Sequence, residues 1–198
     1  MSYAQAGAVK KKILDVAQLL ISKKGFTAVG LNEVLQAAQV PKGSFYHYFG
    51  SKDAFGVALL DGYFEDYLNE ITAIFADQKL TEMEKLDLYF CRWIENQTGK
   101  ANSGKCLAVK LGAEVADLSE PMRLALHRGT SKIIECLASA ISRHQLREGL
   151  WTRDCAQPTA LQLYSLWMGA SVMAKIMSNA EPFSHAMSIT REVLFNTP

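Results

Sequence analysis

Apolar residues recur every three or four positions along almost the whole chain, which is the spacing of one buried helix face. The pattern predicts helices over about 9–24, 31–38, 42–49, 52–76, 82–98, 105–117, 120–144, 158–177 and 182–195. No stretch shows the strict alternation of apolar and polar residues that a half-buried strand would need. The sequence therefore predicts an all-α protein.

Several of the predicted helices begin with recognisable capping residues. Ser51 stands where the helix beginning at Lys52 needs an N-cap, and Thr81 with Glu84 has the spacing of a capping box. Pro121 falls in the first turn of the following long helix, where a missing N–H costs little. These signals support the predicted helix starts independently of the apolar spacing.

The two short helices, 31–38 and 42–49, are separated by three residues, the arrangement of a helix-turn-helix. Val34, Leu35 and Ala38 supply an apolar seam, and Phe45 and Phe49 have the i, i+4 spacing of one buried face. The remaining side chains of the second helix are cationic, hydroxylic or aromatic, and the start of the next helix adds a lysine. We expect these residues to bind DNA: Lys42, Gly43, Ser44, Tyr46, His47, Tyr48 and Lys52.

Charge is distributed unevenly between the start of the chain and its remainder. Residues 1–56 contain seven lysines and three carboxylates, a net charge of +4, whereas the whole chain has a net charge of +1. A basic N-terminal quarter suits a polyanionic partner, although solvated lysines on a helix face are also common.

The chain resembles the TetR family of repressors. The resemblance is carried by Gly25-Phe-Thr27, by the spacing of Val34, Leu35, Ala38 and Val40, and by Lys42-Gly-Ser-Phe-Tyr-His-Tyr-Phe49 followed by Ser51-Lys-Asp53. It implies a helix-turn-helix DNA-binding domain over 1–50 and a helical effector-sensing and dimerisation domain over 51–198. It further implies a homodimer that binds double-stranded operator DNA, with two recognition helices in successive major grooves. Separately, the four scattered cysteines indicate a reducing cytoplasm.

Two residues depart from the pattern of the family. Gly30 stands where Ser or Thr often caps the second helix, and Pro41 replaces a common Ser before the recognition helix. We expect a weaker helix cap at the first position and one fewer hydroxyl contact to phosphate at the second.

The effector is predicted from the segment around Cys106. A helix capped by Ser103 would place Cys106 in its first turn, where the helix dipole, Lys105 and Lys110 all favour a thiolate. The segment from Gly104 to Arg123 also resembles the NemR-like branch of the family, whose members sense reactive electrophiles through cysteine. The alternative is that Cys106 is inert and that the repressor binds an unreactive hydrophobic ligand reversibly.

Other candidate sensing residues are Lys175, Trp93 and Trp167. Lys175 is the only charge between Leu161 and Met177, so its amine either reaches solvent, pairs with a carboxylate or faces an effector cavity near Cys106. Trp93 and Trp167 could line an aromatic pocket, although aromatic residues at helical spacing more often form a core.

Several other classes of protein are disfavoured by the sequence. No signal peptide or run of about 18 apolar residues is present, and the four cysteines are scattered without a C-x-x-C pair, so we expect no membrane association, no metal and no cofactor. A thiol-dependent enzyme is the rival from another class, but no base or phosphate-binding loop accompanies Cys106 in the sequence. We therefore expect a regulator and not an enzyme.

Overall fold

The computed structural model describes residues 3–98, 107–147 and 156–195, and every regular element within them is an α-helix. The helices are α1 (Tyr3–Lys24), α2 (Leu31–Ala38), α3 (Lys42–Phe49), α4 (Lys52–Ala76), α5 (Glu82–Thr98), α6 (Leu107–Ala116), α7 (Glu120–Arg147), α8 (Ala156–Met177) and α9 (Glu181–Phe195). The all-α prediction is confirmed. None of the described helices is long and apolar enough to cross a bilayer.

The predicted capping residues make the expected hydrogen bonds. The Ala54 amide donates to Ser51 Oγ at 3.0 Å, so Ser51 caps α4. At the start of α5, the Glu84 amide donates to Thr81 Oγ1 at 3.2 Å, and the Thr81 amide donates to Glu84 Oε2 at 2.7 Å. The capping box therefore satisfies amides that would otherwise lack an intrahelical acceptor.

The chain divides into two compact units. The first unit comprises Met1–Asp66 and Ala101–Gly129, and the second comprises Tyr67–Lys100 and Thr130–Pro198. Helices α4 and α7 each contribute residues to both units.

The core of the first unit is formed by α1, α2, α3, the start of α4 and α6. Three aromatic rings lie at its centre, with the Phe45 ring centroid 5.2 Å from that of Phe49 and 5.3 Å from that of Phe55. Ile13, Ala17, Ile21, Val34, Leu35, Ala38, Leu59, Leu107, Leu111 and Val115 are also buried here. The buried positions of α2 and α6 follow the i, i+3, i+4 spacing on which the sequence prediction rested.

The core of the second unit is aromatic. The Trp167 ring stacks on Phe90 at 4.8 Å and on Phe183 at 6.1 Å. Trp93 Nε1 donates to Ser171 Oγ, and Trp167 Nε1 donates to Thr190 Oγ1. Both hydroxyls in turn donate to helix carbonyls, so the indole N–H groups are buried without losing a hydrogen bond.

Candidate nucleic-acid interface

The turn between α2 and α3 is closed by backbone hydrogen bonds. Gln39 adopts the left-handed conformation with φ 56°, and its amide donates to the Gln36 carbonyl at 3.1 Å. The amide of Val40 donates to the Leu35 carbonyl at 3.0 Å. These bonds satisfy the last carbonyls of α2 and define the angle at which α3 begins.

One face of α3 is buried and holds the helix in place. Phe45 has no exposed surface and Phe49 is 7% exposed, as their spacing predicted. Because both rings pack into the core of the first unit, the opposite face of α3 is directed to solvent.

The predicted DNA-binding residues lie on this outer face or beside it. Lys42, Gly43, Tyr46 and His47 on α3 are exposed, as is Lys52 at the start of α4. Tyr46, with 57% of its surface accessible, is the most prominent of the large side chains of α3. Ser44 and Tyr48 are half-buried, so a partner could reach only part of each.

Lysines beside α3 lie against aromatic rings. Lys52 Nζ lies 5.1 Å from the centroid of the Phe26 ring, and Lys10 Nζ of α1 lies 5.6 Å from that of Phe49. Cation–π contacts of this length orient an ammonium group while leaving its donors available. The position of Lys10 beside α3 was not predicted, because a lysine within a basic run gives no signal of a neighbour 39 residues further along the chain.

The start of α3 lacks a side-chain cap. Its N-cap is Pro41, whose side chain makes no capping hydrogen bond, and Gly43 has no heavy atom within 4 Å of the position a Cβ would occupy. A helix start of this kind favours anions through its dipole and its first amides. Lysines, hydroxyls and an accessible helix start together provide phosphate ligands on one surface.

A carboxylate from α6 binds the loop between α1 and α2. Glu114 accepts hydrogen bonds from the Phe26 amide at 3.2 Å, the Thr27 amide at 2.7 Å and Thr27 Oγ1 at 2.6 Å. Burial acts to raise the pKa of Glu114, but the bonds from Thr27 and Phe26 and the charge of Lys110 outweigh it and hold that pKa below its ordinary value. No local pattern in the sequence indicates a role for Glu114, because its partners lie 87 and 88 residues earlier in the chain.

The residues predicted to sense an effector have several different environments. Cys106 lies outside the described residues. Lys110 Nζ donates to the Lys23 carbonyl at 3.5 Å, at the end of α1. Lys175 is exposed near the end of α8, whereas Trp93 and Trp167 are buried in the aromatic core of the second unit.

Cys91 and Cys136 are half-buried thiols with unfavourable surroundings for ionisation. Burial raises the pKa of Cys91, and Asp87, whose Oδ2 lies 3.7 Å from its Sγ, raises it further. Burial also raises the pKa of Cys136. Neither thiol is therefore set up as a nucleophile at neutral pH. Across 3–98, 107–147 and 156–195 no group of three His, Cys, Asp or Glu side chains could hold a metal ion.

Two family models match the chain over most of its length. The model described as bacterial regulatory proteins of the tetR family matches residues 13–59. The model described as the tetracyclin repressor-like C-terminal domain matches residues 83–190. The first match contains the turn, α3 and the start of α4, and the second contains most of α5 to α9.

Individual relatives match nearly the full chain. The chain is 36% identical over 187 residues to the HTH-type transcriptional repressor NemR of Escherichia coli (strain K12), which covers 93% of each chain. It is 28% identical over 187 residues to the HTH-type transcriptional repressor DhaR of Mycobacterium sp. (strain GP1), covering 94% of this chain and 92% of that one. The crystal structure of the reduced form of E. coli NemR superimposes with a TM-score of 0.86 at 34% identity, covering 96% of this chain and 98% of that chain.

Proposed function

The chain belongs to the tetR family of bacterial regulatory proteins, and from this premise we propose that α3 is the recognition helix with which this transcriptional repressor binds operator DNA. As a regulator of this family the protein is not an enzyme. The observation that carries the proposal is the arrangement of α3, whose buried Phe45 and Phe49 leave Lys42, Tyr46 and His47 on the outside.

Each predicted contact has a distinct physical role in this proposal. Lys42 and Lys52 neutralise phosphates, and the amides at the start of α3 donate to a phosphate oxygen. Tyr46 and His47, which are exposed on α3, would contact base edges, and Gly43 would leave room for the DNA backbone. Ser44 and Tyr48, being half-buried, would present only part of each side chain to DNA.

The first test is binding to the DNA that flanks the gene of the protein itself. Footprinting defines the protected duplex, and its Kd is then measured over a range of salt concentrations. Lys42→Ala is expected to raise Kd about tenfold. It should also reduce the magnitude of the slope of log binding constant against log salt concentration by about one, since one phosphate contact is lost. The matched control is Lys132→Ala, an exposed lysine of α7 that should leave both quantities unchanged.

The opposite results would contradict the proposal. Equal effects of Lys42→Ala and Lys132→Ala, or an affinity that does not vary with salt, would remove α3 from the interface.

We further propose that two copies associate through α8 and α9. Within the described residues of the second unit, apolar side chains on both helices face solvent: Leu161, Val172, Met173, Ile176, Met177, Ile189 and Val193. Helices α8 and α9 pack against each other and are joined by three residues, so their exposed faces can form one continuous surface. An apolar surface of this kind on a regulator that needs two recognition helices supports a second copy of the chain as its partner.

The effector proposed for this repressor is a reactive electrophile or oxidant sensed through Cys106. Support comes from the likeness to NemR and from the residues beside Cys106 in the sequence. The raised pKa values of Cys91 and Cys136 favour a different thiol as the reactive one. Lys110 and Lys175 remain candidate neighbours of the Cys106 thiol. The buried Trp93 and Trp167 would act only indirectly, by supporting the domain around a binding cavity.

The effector proposal is tested with the operator complex and N-ethylmaleimide. One equivalent of this electrophile should release wild-type protein from DNA, whereas the Cys106→Ser variant should stay bound. Cys91→Ser and Cys136→Ser serve as controls and should respond as the wild type does. Unchanged release from Cys106→Ser would exclude Cys106 as the reactive thiol, whereas failure of the electrophile to release the wild type would favour a reversibly bound hydrophobic ligand.

A further inference from the structure

The loop between α1 and α2 is held by one side chain that is distant in sequence. Gly25, Phe26 and Thr27 follow directly on α1, and Glu114 of α6 receives two amide donors and one hydroxyl donor from Phe26 and Thr27. An ionised acceptor forms hydrogen bonds about twice as strong as a neutral one. The loop is therefore attached to α6 by a short, directional contact.

The backbone at Gly25 is shaped to admit this carboxylate. Gly25 has φ +93°, and a Cβ at this position would lie 2.9 Å from Glu114 Oε2. A side chain at position 25 would thus be strained by the backbone conformation and would also displace the carboxylate. One turn earlier on α6, Lys110 Nζ donates to the Lys23 carbonyl at 3.5 Å, which adds a second contact at the end of α1.

The contact bears on α3 because only the packed helix α2 and a hydrogen-bonded turn separate the loop from α3. Four residues after Thr27 the chain enters α2, whose Val34 and Leu35 are buried, and the closed turn at Gln39 leads directly into α3. A displacement of the loop would be transmitted through α2 to the recognition helix. Small misplacements matter for reading base edges more than for attraction to phosphates, which is long-ranged and undirected.

We propose that Glu114 is a positioning residue for DNA recognition, whose carboxylate holds the α1–α2 loop so that α3 is oriented for specific binding. This inference rests on the proposed operator-binding function of α3. Glu114 does not itself contact DNA, and its effect is exerted through Phe26 and Thr27.

The test compares Glu114→Gln with a control of matched chemistry. At the start of α5, Glu84 likewise accepts a threonine amide and a threonine hydroxyl, at 2.7 and 2.8 Å from Thr81. Glu114→Gln removes the charge and one acceptor oxygen, and it should raise the Kd for the footprinted operator duplex about tenfold. Glu84→Gln loosens a helix cap in the second unit and should leave that Kd unchanged.

Two further readouts separate positioning from a general loss of folding. The Kd for a non-operator duplex should stay within about twofold in Glu114→Gln, because phosphate attraction does not need an accurately oriented α3. The amide proton resonances of Phe26 and Thr27 should move upfield and exchange faster with solvent. Thr27→Val removes the hydroxyl donor, and the double variant with Glu114→Gln should weaken operator binding by less than the sum of the two single effects.

The possible outcomes distinguish this inference from the proposed function. If Lys42→Ala weakens operator binding and Glu114→Gln does not, the positioning role is wrong while α3 remains the recognition helix. Equal weakening on operator and non-operator duplexes would also overturn it. If Lys42→Ala has no effect, the proposed function itself fails.

Discussion

At the scale of single residues, two glycines inside helices of the first unit have opposite surroundings. Gly129 of α7 is buried, and a Cβ added there would overlap the ring of Phe64. Gly62 of α4 has no heavy atom within 4 Å of the corresponding position. The first glycine is required by packing, whereas the second only weakens its helix.

Gly129→Ala and Gly62→Ala should therefore change stability in opposite directions. Alanine at position 62 should add about 1 kcal/mol of unfolding free energy, the usual difference in helix propensity. At position 129 the same gain is outweighed by overpacking against Phe64, for a net loss of about 1–2 kcal/mol. Urea denaturation of both variants measures the two values. Stabilisation by Gly129→Ala would mean that Phe64 moves aside without cost.

A second group of residues with a clear energetic role is the ionic cluster in the second unit. Glu82 is 3% exposed, with its carboxylate 2.7 Å from Lys85 Nζ and 3.0 Å from Arg143 Nε. Glu82→Gln leaves the Lys85 ammonium buried beside a neutral partner, so we expect a loss of about 3–5 kcal/mol at neutral pH. The control is Glu120→Gln, which breaks an exposed pair with Arg123 and should cost far less.

The contribution of Glu82 should also vanish in acid. Burial alone would raise the pKa of Glu82, but the hydrogen bonds and charges of Lys85 and Arg143 hold it below the ordinary 4.5. A carboxyl group whose pKa is lower in the folded protein than in the unfolded chain stabilises the folded state at pH values above its unfolded pKa. This stabilisation is lost as the pH falls through the folded pKa. Denaturation curves of wild type and Glu82→Gln should thus converge below pH 4.5. If the two proteins keep a constant difference in unfolding free energy down to the pH of acid unfolding, the charge of Glu82 is not the source of its stabilising effect.

At the scale of helices, local signals were sufficient to predict most of the structure. Caps at Ser51 and Thr81 and the apolar spacing of α2 and α3 depend only on residues a few positions apart, and they predicted these helices correctly. The contact of Glu114 with Thr27 joins residues 87 positions apart, and no local pattern indicates it. Local chemistry thus predicted α3, the proposed recognition helix, while the contact between Glu114 and the α1–α2 loop became visible only in three dimensions.

The start of α2 offers a prediction that depends on helix capping alone. Gly30 is the N-cap with φ −76° and ψ 144°, makes no side-chain bond, and has no heavy atom within 4 Å of a Cβ position. Gly30→Ser should gain about 1 kcal/mol, since serine fits this backbone, restricts the unfolded chain and can accept an amide of α2. Gly30→Ala restricts the chain equally without an acceptor, so its stability in thermal unfolding should fall below that of the serine variant. Equal stabilities would exclude a capping bond.

At the scale of the whole molecule, the proposed mode of operator recognition requires two copies of the chain to act together. One recognition helix contacts one half-site, and specific affinity for a two-fold operator arises when two helices bind together. The exposed apolar faces of α8 and α9 leave the second unit with a surface that water solvates poorly. Association through this surface would supply the second helix.

This association is tested by placing a charge within the apolar face. Val172 is 44% exposed on α8, and Val172→Glu would bury an unpaired carboxylate from each copy in a symmetric interface, where every substitution occurs twice. Sedimentation at micromolar concentration should change from dimer to monomer, and operator affinity should fall at least about a hundredfold, toward that of one half-site. Leu146→Glu, at a residue 47% exposed on α7, adds the same charge to the second unit and should leave both measurements unchanged. A Val172→Glu protein that remains dimeric would place the interface on a different face, because an uncompensated pair of buried carboxylates is incompatible with stable association through α8.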